Sequence, residues 1–273
     1  MSGGTDRALG WAQEALLPAQ FGAGLLRVDL GEGVVAGFTT RHGGVSPAPW
    51  SSLDLGTSTG DDPVRVRENR ARLGEWVGAP VAFAAQVHGD RVLSLGDVEL
   101  AEWSSAEPPS AAGEADAMVT ASPGLGLGVL VADCVPVVLA DPVARVVAVA
   151  HAGRKGVVAG VVHRVLDAML AGGARAEDVR AAVGPAVCGD CYEVPAGMRA
   201  EVAAAVPETW ATTSAGTPAL DLPAGVLAQL AARGVHAARV DRCTLTDTDL
   251  YSHRRATAQG TTTGRQAGVV LLT

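Results

Sequence analysis

The segment from Leu125 to Leu170 constrains this chain more than any other. An apolar run reaches Val131, pauses at Ala132-Asp133-Cys134 and resumes from Val135 to Ala140. After Asp141-Pro142-Val143-Ala144-Arg145 a second run fills 146–150, and His151-Ala152-Gly153-Arg154-Lys155-Gly156 follows. Short continuous apolar runs bounded by turn residues read as strands. The runs 137–140 and 146–150 predict an antiparallel hairpin centred near Val143, with Cys134 opposite Ala152 and one step from His151. Directly opposed Cβ atoms lie about 4.5–5.5 Å apart, so a thiol and an imidazole leave the same end of one hairpin. Such a pair is part of a metal site or a nucleophile beside its base.

Beyond His151, the residues Val157, Val158, Val161, Val162, Val165, Leu166, Met169 and Leu170 form a stripe at helical spacing. The stripe predicts a helix that begins near 153–156. Arg154 and Lys155 then stand in a glycine-flanked turn at its start. Free N–H groups and two cations there suit an anion, although two solvated charges in a strand-to-helix turn would read the same way.

Elsewhere the punctuation is equally plain. Residues 1–24 read as a partly ordered lead-in, and 25–273 as one domain of mixed α/β type. Val34–Phe38 is a predicted strand, followed by the loop Thr40-Arg41-His42-Gly43-Gly44. Asp61-Asp62-Pro63 starts a helix that runs to about Val77. Its apolar side carries Val66, Leu73 and Trp76, and its polar side Glu68, Asn69, Arg70 and Arg72. A strand over Val81–Val87 delivers Gln86 and His88, and residues 101–115 read as a surface loop. Further strands are predicted at Val179–Val183, Ala237–Val240 and Ala267–Leu272, and helices at Ala196–Val206 and Ala224–Arg233. A polar loop spans Asp241 to Gln266.

Composition narrows the function classes. The 273 residues are 48% apolar, enough for a substantial core, and the formal charge is −8 with scattered basic residues. This balance argues against nucleic acid and anionic membrane as partners. No run approaches the ~20 apolar residues of a membrane span, and the N-terminus lacks an apolar secretory signal. A cytoplasmic location follows as the expectation, with the four cysteines reduced.

His88, Cys134 and His151 share a placement, each just outside an apolar β-type run. Zinc takes imidazole nitrogen and thiolate sulfur, and catalytic sites commonly use three protein ligands. Cys188-Gly189-Asp190-Cys191 has C-x₂-C spacing but no second such pair, so it reads as two ordinary cysteines in a turn. Cys243 has no local partner. Arg41, Arg154, Lys155 and the pair Arg254-Arg255 are candidates for a phosphate cradle, with solvated surface charges as the alternative.

The motifs together resemble the laccase-domain family, also called YfiH-type. The resemblance rests on Thr40-Arg-His-Gly-Gly-Val-Ser46, Ser52-Leu-Asp-Leu-Gly56, Gly60-Asp-Asp62, Gln86-Val-His-Gly89, Ala132-Asp-Cys-Val-Pro136 and Ala150-His-Ala-Gly153. Gly184-Pro185, Tyr192-Glu-Val194, Arg254-Arg255 and Thr263-Gly-Arg265 continue it, in order, from about Gly37 to Leu272. It implies a single α/β domain with mixed sheets and a catalytic zinc on His88, Cys134 and His151. It also implies phosphorolysis of purine nucleosides, methylthioadenosine among them, with deamination of adenosine. Members also carry the labels polyphenol oxidase and peptidoglycan editing factor. Purine nucleoside and phosphate are thus the expected partners, with Arg41 and Lys155 for phosphate and Asp133 as a proton-handling group near the metal.

The chain departs from the family pattern at two places. His151-Ala-Gly-Arg-Lys-Gly156 stands where the family reads His-Ala-Gly-Trp-Arg-Gly, and His253-Arg254-Arg255 stands for Tyr-Arg-Arg. Arg and Lys differ at a bidentate site, so substrate preference and rate are the properties these changes touch. Multicopper chemistry is not expected, because it needs a histidine-rich copper cluster and this chain has six histidines and no His-x-His. Two rivals remain: a cysteine hydrolase, with Cys134 as nucleophile and His151 as base, and a non-catalytic zinc protein.

Overall fold

A computed structural model describes residues 20, 21, 24–105 and 108–273. In chain order the first strands are β1 (Gln20–Phe21), β2 (Leu25–Val28) and β3 (Val34–Thr39), followed by helix α1 (Pro63–Val77). Strands β4 (Val81–Phe83) and β5 (Val92–Leu95) precede α2 (Asp97–Trp103), and then come β6 (Ala117–Thr120), β7 (Gly126–Val131), β8 (Val135–Asp141) and β9 (Val146–Ala152). Helices α3 (Arg154–Ala159) and α4 (Val161–Ala171) lead to β10 (Arg180–Val183). The chain continues with α5 (Ala196–Ala205), β11 (Trp210–Thr212), β12 (Pro218–Leu220) and α6 (Leu222–Ala232). It finishes with β13 (His236–Arg239), α7 (His253–Ala258) and β14 (Gln266–Leu272). The lead-in expected over 1–24 lies mostly outside the described residues.

Two six-stranded mixed sheets organise these elements. The first has the order β1-β2-β3-β14-β7-β4, the second β13-β10-β8-β9-β6-β5, and β11-β12 form a small ribbon. Pairing is antiparallel apart from β4 with β7, β5 with β6 and β10 with β13. The fold is therefore the mixed α/β type that the motifs imply.

The apolar continuity of β8 and β9 has a simple cause, since both of their faces are buried. Val138, Val147 and Val149 face a core shared with Phe38, Leu127, Val129 and Val269 of the first sheet. Val137, Leu139, Ala148 and Ala150 face a second core with Val161, Val165 and Leu166 of α4 and with Val226 and Leu230 of α6. The layers are sheet, sheet and helices. At about 25 cal/mol per Å², these two interfaces dominate the driving force for folding.

Several sequence expectations are corrected in detail. The β8–β9 hairpin pairs Val135 with Ala152 and Pro136 with His151, one residue away from the expected register. Arg145 takes a left-handed φ of 56° in the turn. Cys134 and His151 still leave the same end. The stripe over 157–170 forms two helices, because Gly160 adopts φ 88° as the C-cap of α3 and the N-cap of α4. Strand β4 stops at Phe83; Gln86 turns inward, its Nε2 donating to the Leu130 carbonyl at 2.8 Å and its Oε1 accepting from the Leu130 N–H at 2.7 Å. The side-chain amide thus replaces a strand residue against the end of β7. The segment 101–115 begins as helix, with Trp103 buried.

Helix α1 starts where Asp62 caps it, accepting from the Val64 N–H at 2.9 Å, with Pro63 in the first turn. Asn69, assigned to its polar side, is fully buried. Its Nδ2 donates to Ser46 Oγ and to the Asp54 carbonyl, and its Oδ1 accepts from the Val45 N–H. A buried amide with every contact filled positions the loop after β3 rather than facing water.

Candidate metal centre and its cavity

Three chain ends converge at one edge of the two sheets. His88 follows β4, Cys134 lies on the short link between β7 and β8, and His151 is near the end of β9. Their ligand atoms all lie within 4.8 Å of one another. His151 is buried, Cys134 half-buried and His88 exposed. The two imidazoles meet edge to face, with ring centroids 4.8 Å apart.

The group that holds this arrangement is Asp116, immediately before β6, which the motif reading missed. Its carboxylate is fully buried and lies 2.7 Å from His151 Nδ1. The same carboxylate accepts the backbone N–H groups of Val87, His88 and Gly89, at 3.2, 2.9 and 2.6 Å. One acid therefore fixes the ring of His151 and the turn bearing His88, which sits at a left-handed φ of 64°. With Nδ1 engaged, Nε2 of His151 is the nitrogen left to face Cys134. A carboxylate behind a histidine is the usual partner of a metal-ligating imidazole. The sequence signal was slight, an acid directly ahead of the buried run 117–120.

The electrostatics follow from this packing. Burial pushes the Cys134 thiol up, but hydrogen bonds from His151 and His88 outweigh it and bring the thiol down to about 6. Burial likewise opposes charge on His151, yet Asp116 and Cys134 raise it to about 9. Asp116 stays below its ordinary range despite burial, chiefly through His151 and the Gly89 N–H. A thiolate beside two imidazoles, one oriented by a carboxylate, is a donor set that suits a borderline-soft divalent ion. Gly153 completes the fit. A Cβ there would lie 2.8 Å from His88 Cδ2 and 3.2 Å from Cys134 Sγ. Only glycine leaves that space clear.

The cluster opens on a cavity of about 1200 Å³ whose walls include Arg70, Asp133, Tyr192, Arg254 and Arg265. A smaller space of about 340 Å³ adjoins Cys134 and His88 and is bordered by Arg154, Lys155 and Tyr192. The Arg254 guanidinium lies 4.4 Å over the Tyr192 ring. Burial lowers Arg70 to about 10; its guanidinium donates to the Leu55 and Ser110 carbonyls and covers Phe83.

Two expected roles meet a different geometry. Asp133 was expected to handle protons near the metal, but both of its carboxylate oxygens are engaged. Oδ1 accepts from Thr244 Oγ1 at 2.7 Å and Oδ2 from the Arg254 N–H at 2.8 Å, the first turn of α7. With φ 99°, Asp133 shapes the turn that carries Cys134. Arg41 lies outside both cavities, its Nε donating to the Ser51 carbonyl at 2.6 Å and its guanidinium 5.0 Å over Tyr251. Of the pair Arg254-Arg255, only Arg254 faces the cavity. Arg255 donates to the carbonyls of Thr244, Leu245, Asp247 and Leu250 and pins that loop.

Residues 35–273 match the family described as multi-copper polyphenol oxidoreductase laccase. The chain belongs to that family. Among its relatives, a purine nucleoside phosphorylase of Streptomyces griseus is 53% identical over 86% of this chain and 93% of its own. Another, of Streptomyces coelicolor, is 49% identical over 89% and 98%. Similar solved structures include YfiH from Bacillus licheniformis, with a TM-score of 0.82 and 29% identity over 92% of this chain and 97% of that one. YlmD from Geobacillus stearothermophilus gives 0.81 and 32% over 95% and 99%. Among the described residues no helix is long and apolar enough to cross a membrane.

Proposed function

We propose that this laccase-domain chain is a zinc-dependent purine nucleoside phosphorylase with an adenosine deaminase side activity, working in a reducing cytoplasm. The observation that carries the reading is the His88–Cys134–His151 cluster facing an arginine-lined cavity, in a chain whose relatives are named purine nucleoside phosphorylases. His88, Cys134 and His151 are the residues that would hold the ion. Bound there, zinc would supply a Lewis acid at the cavity wall.

The remaining work belongs to the protein's own groups. In phosphorolysis a phosphate oxygen forms a bond to the ribose anomeric carbon as the carbon–nitrogen bond to the purine breaks. Rate then depends on holding the two reactants in line and balancing the phosphate charge. Arg154 and Lys155 border the smaller space beside Cys134, and Arg254 stands across Tyr192 from it. These three cations are the proposed phosphate contacts, with Arg41 set aside by its position. Asp116 keeps the His151 ring oriented, and Asp133 keeps Cys134 and α7 in register.

Initial rates against phosphate concentration, with inosine, guanosine, adenosine and methylthioadenosine, test this reading. Free base should appear only with phosphate, while ammonia release from adenosine should not need it. Lys155→Ala should weaken the phosphate response roughly ten- to hundred-fold, the loss of one charge-assisted contact, and leave deamination much less affected. Base release that ignores phosphate would overturn the proposal.

The chain Asp116–His151–Cys134 also has the form of an orienting acid, base and thiol nucleophile, which favours a cysteine hydrolase as the second reading. Zinc stoichiometry separates the two, because a metal-bound thiolate is not free to attack.

A further inference from the structure

Away from the metal centre, three more sulfurs gather. Cys188 and Cys191 lie on the turn after β10, and Cys243 lies in the loop after β13. The parallel pairing of β10 with β13 continues as a bridge between Ala186 and Cys243, which brings the distant cysteine beside the C-x₂-C turn. The three Sγ atoms lie within 4.8 Å of one another, and each is a free, half-buried thiol.

The local backbone is arranged around these sulfurs. The N–H groups of Cys191 and Tyr192 both donate to the Cys188 carbonyl, at 3.0 and 2.9 Å, and close the C-x₂-C segment into a tight knuckle. The Cys188 N–H points at Cys243 Sγ from 3.5 Å, and the amides of Thr246 and Leu245 face the same sulfur. Amide hydrogen bonds onto sulfur are outer-shell support of the kind that metal-thiolate sites rely on. Arg255, through its carbonyl contacts, holds the Cys243 loop in place.

We propose that Cys188, Cys191 and Cys243 form a second metal site, taking a thiophilic d¹⁰ cation in an all-thiolate setting. Metal–sulfur bonds of about 2.3 Å imply sulfurs roughly 4 Å apart around one ion, within a small adjustment of the observed spacing. A disulfide requires about 2.05 Å. Among the described residues no fourth histidine, cysteine or carboxylate joins the group. Two ions share the required chemistry: zinc with solvent in the fourth position, and monovalent copper satisfied by three thiolates. Cys191 precedes Tyr192 and borders the same cavity as Cys134, so an occupied site would brace that wall.

The test is a metal count on the full chain, purified without a metal-binding tag, stripped and reloaded under reductant with zinc or copper(I) separately. Wild type should retain about two ions per chain, and Cys134→Ala and Cys243→Ser about one each. Cobalt(II) in Cys134→Ala should give the sulfur-to-metal charge-transfer absorption of a thiolate-rich site, lost on adding Cys188→Ser. Circular dichroism checks that each variant is folded, and Cys191→Ser replaces Cys243→Ser if that one is not. Retention of zinc, copper or both in Cys134→Ala supports the site and names its ion. Retention of neither, or a Cys188–Cys191 disulfide that persists under the reductant, overturns it.

Discussion

The two sulfur-containing clusters differ in what holds them. His88, Cys134 and His151 stand at the ends of strands in two sheets, and one buried carboxylate, Asp116, reaches two of the three residues. Cys188, Cys191 and Cys243 stand on two loops and are held by main-chain amides, and among the described residues no carboxylate joins the group. A histidine needs an outer acceptor to fix its ring, whereas a thiolate is directed by backbone N–H groups alone. The first cluster is accordingly preorganised by one buried carboxylate, and the second by the main chain of two loops, one of them pinned by Arg255. Both clusters touch the arginine-lined cavity, the first through all three of its residues and the second through Cys191.

Removing Asp116 should break this contrast most sharply. Asp116→Asn leaves the His151 ring without its anion and sets an amide N–H₂ against backbone donors of the 87–89 turn. Metal affinity at the first cluster should fall at least 10–100-fold, read by competition with a chelator. The three-cysteine cluster should keep its metal, and an equal loss from both would mean that the variant misfolds. Gly153→Ala is the next largest effect. Its added methyl meets His88 and Cys134 at 2.8 and 3.2 Å, and such overpacking costs about 1–3 kcal/mol. A metal affinity unchanged from wild type would show that the cluster can open to accept it.

The smallest effect concerns the metal-free protein. A thiol at about 6 is mostly thiolate at neutral pH, so alkylation of Cys134 by iodoacetamide should rise through pH 6 rather than near the ordinary thiol value of 9. Loss of Asp116 removes the anion that keeps His151 protonated, and the midpoint should then move upward. Peptide mapping by mass spectrometry separates Cys134 from the other three cysteines. A midpoint near 9 in wild type would show that the imidazoles do not reach the sulfur in solution.

Much of the first cluster was legible in the sequence, because each residue lies just outside an apolar run and strand ends are easy to locate. The hairpin register was missed by one residue, since Asp141–Arg145 allows either centre until Arg145 takes its left-handed turn. Asp116 was hidden because a buried acid ahead of a strand looks like any loop acid until its partners are known. Gly160 divided an apolar stripe that periodicity alone runs together. The three-cysteine cluster was out of reach for another reason. Cys188 and Cys243 are 55 positions apart, and only the parallel pairing of β10 and β13 joins them. Local spacing shows C-x₂-C and cannot show its third member.

The link Ala132-Asp133-Cys134 carries the chain from β7 in the first sheet to β8 in the second. His88 follows a strand of the first sheet and His151 belongs to a strand of the second. The candidate ligand atoms are therefore contributed from both sides of the seam between the sheets. Cys134 and His151 meet within the β8–β9 hairpin, but His88 joins them only once the sheets have docked, so the complete cluster should form late in folding, after long-range pairing. An ion captured there would report a finished molecule, and its escape should be an early sign that the seam has parted.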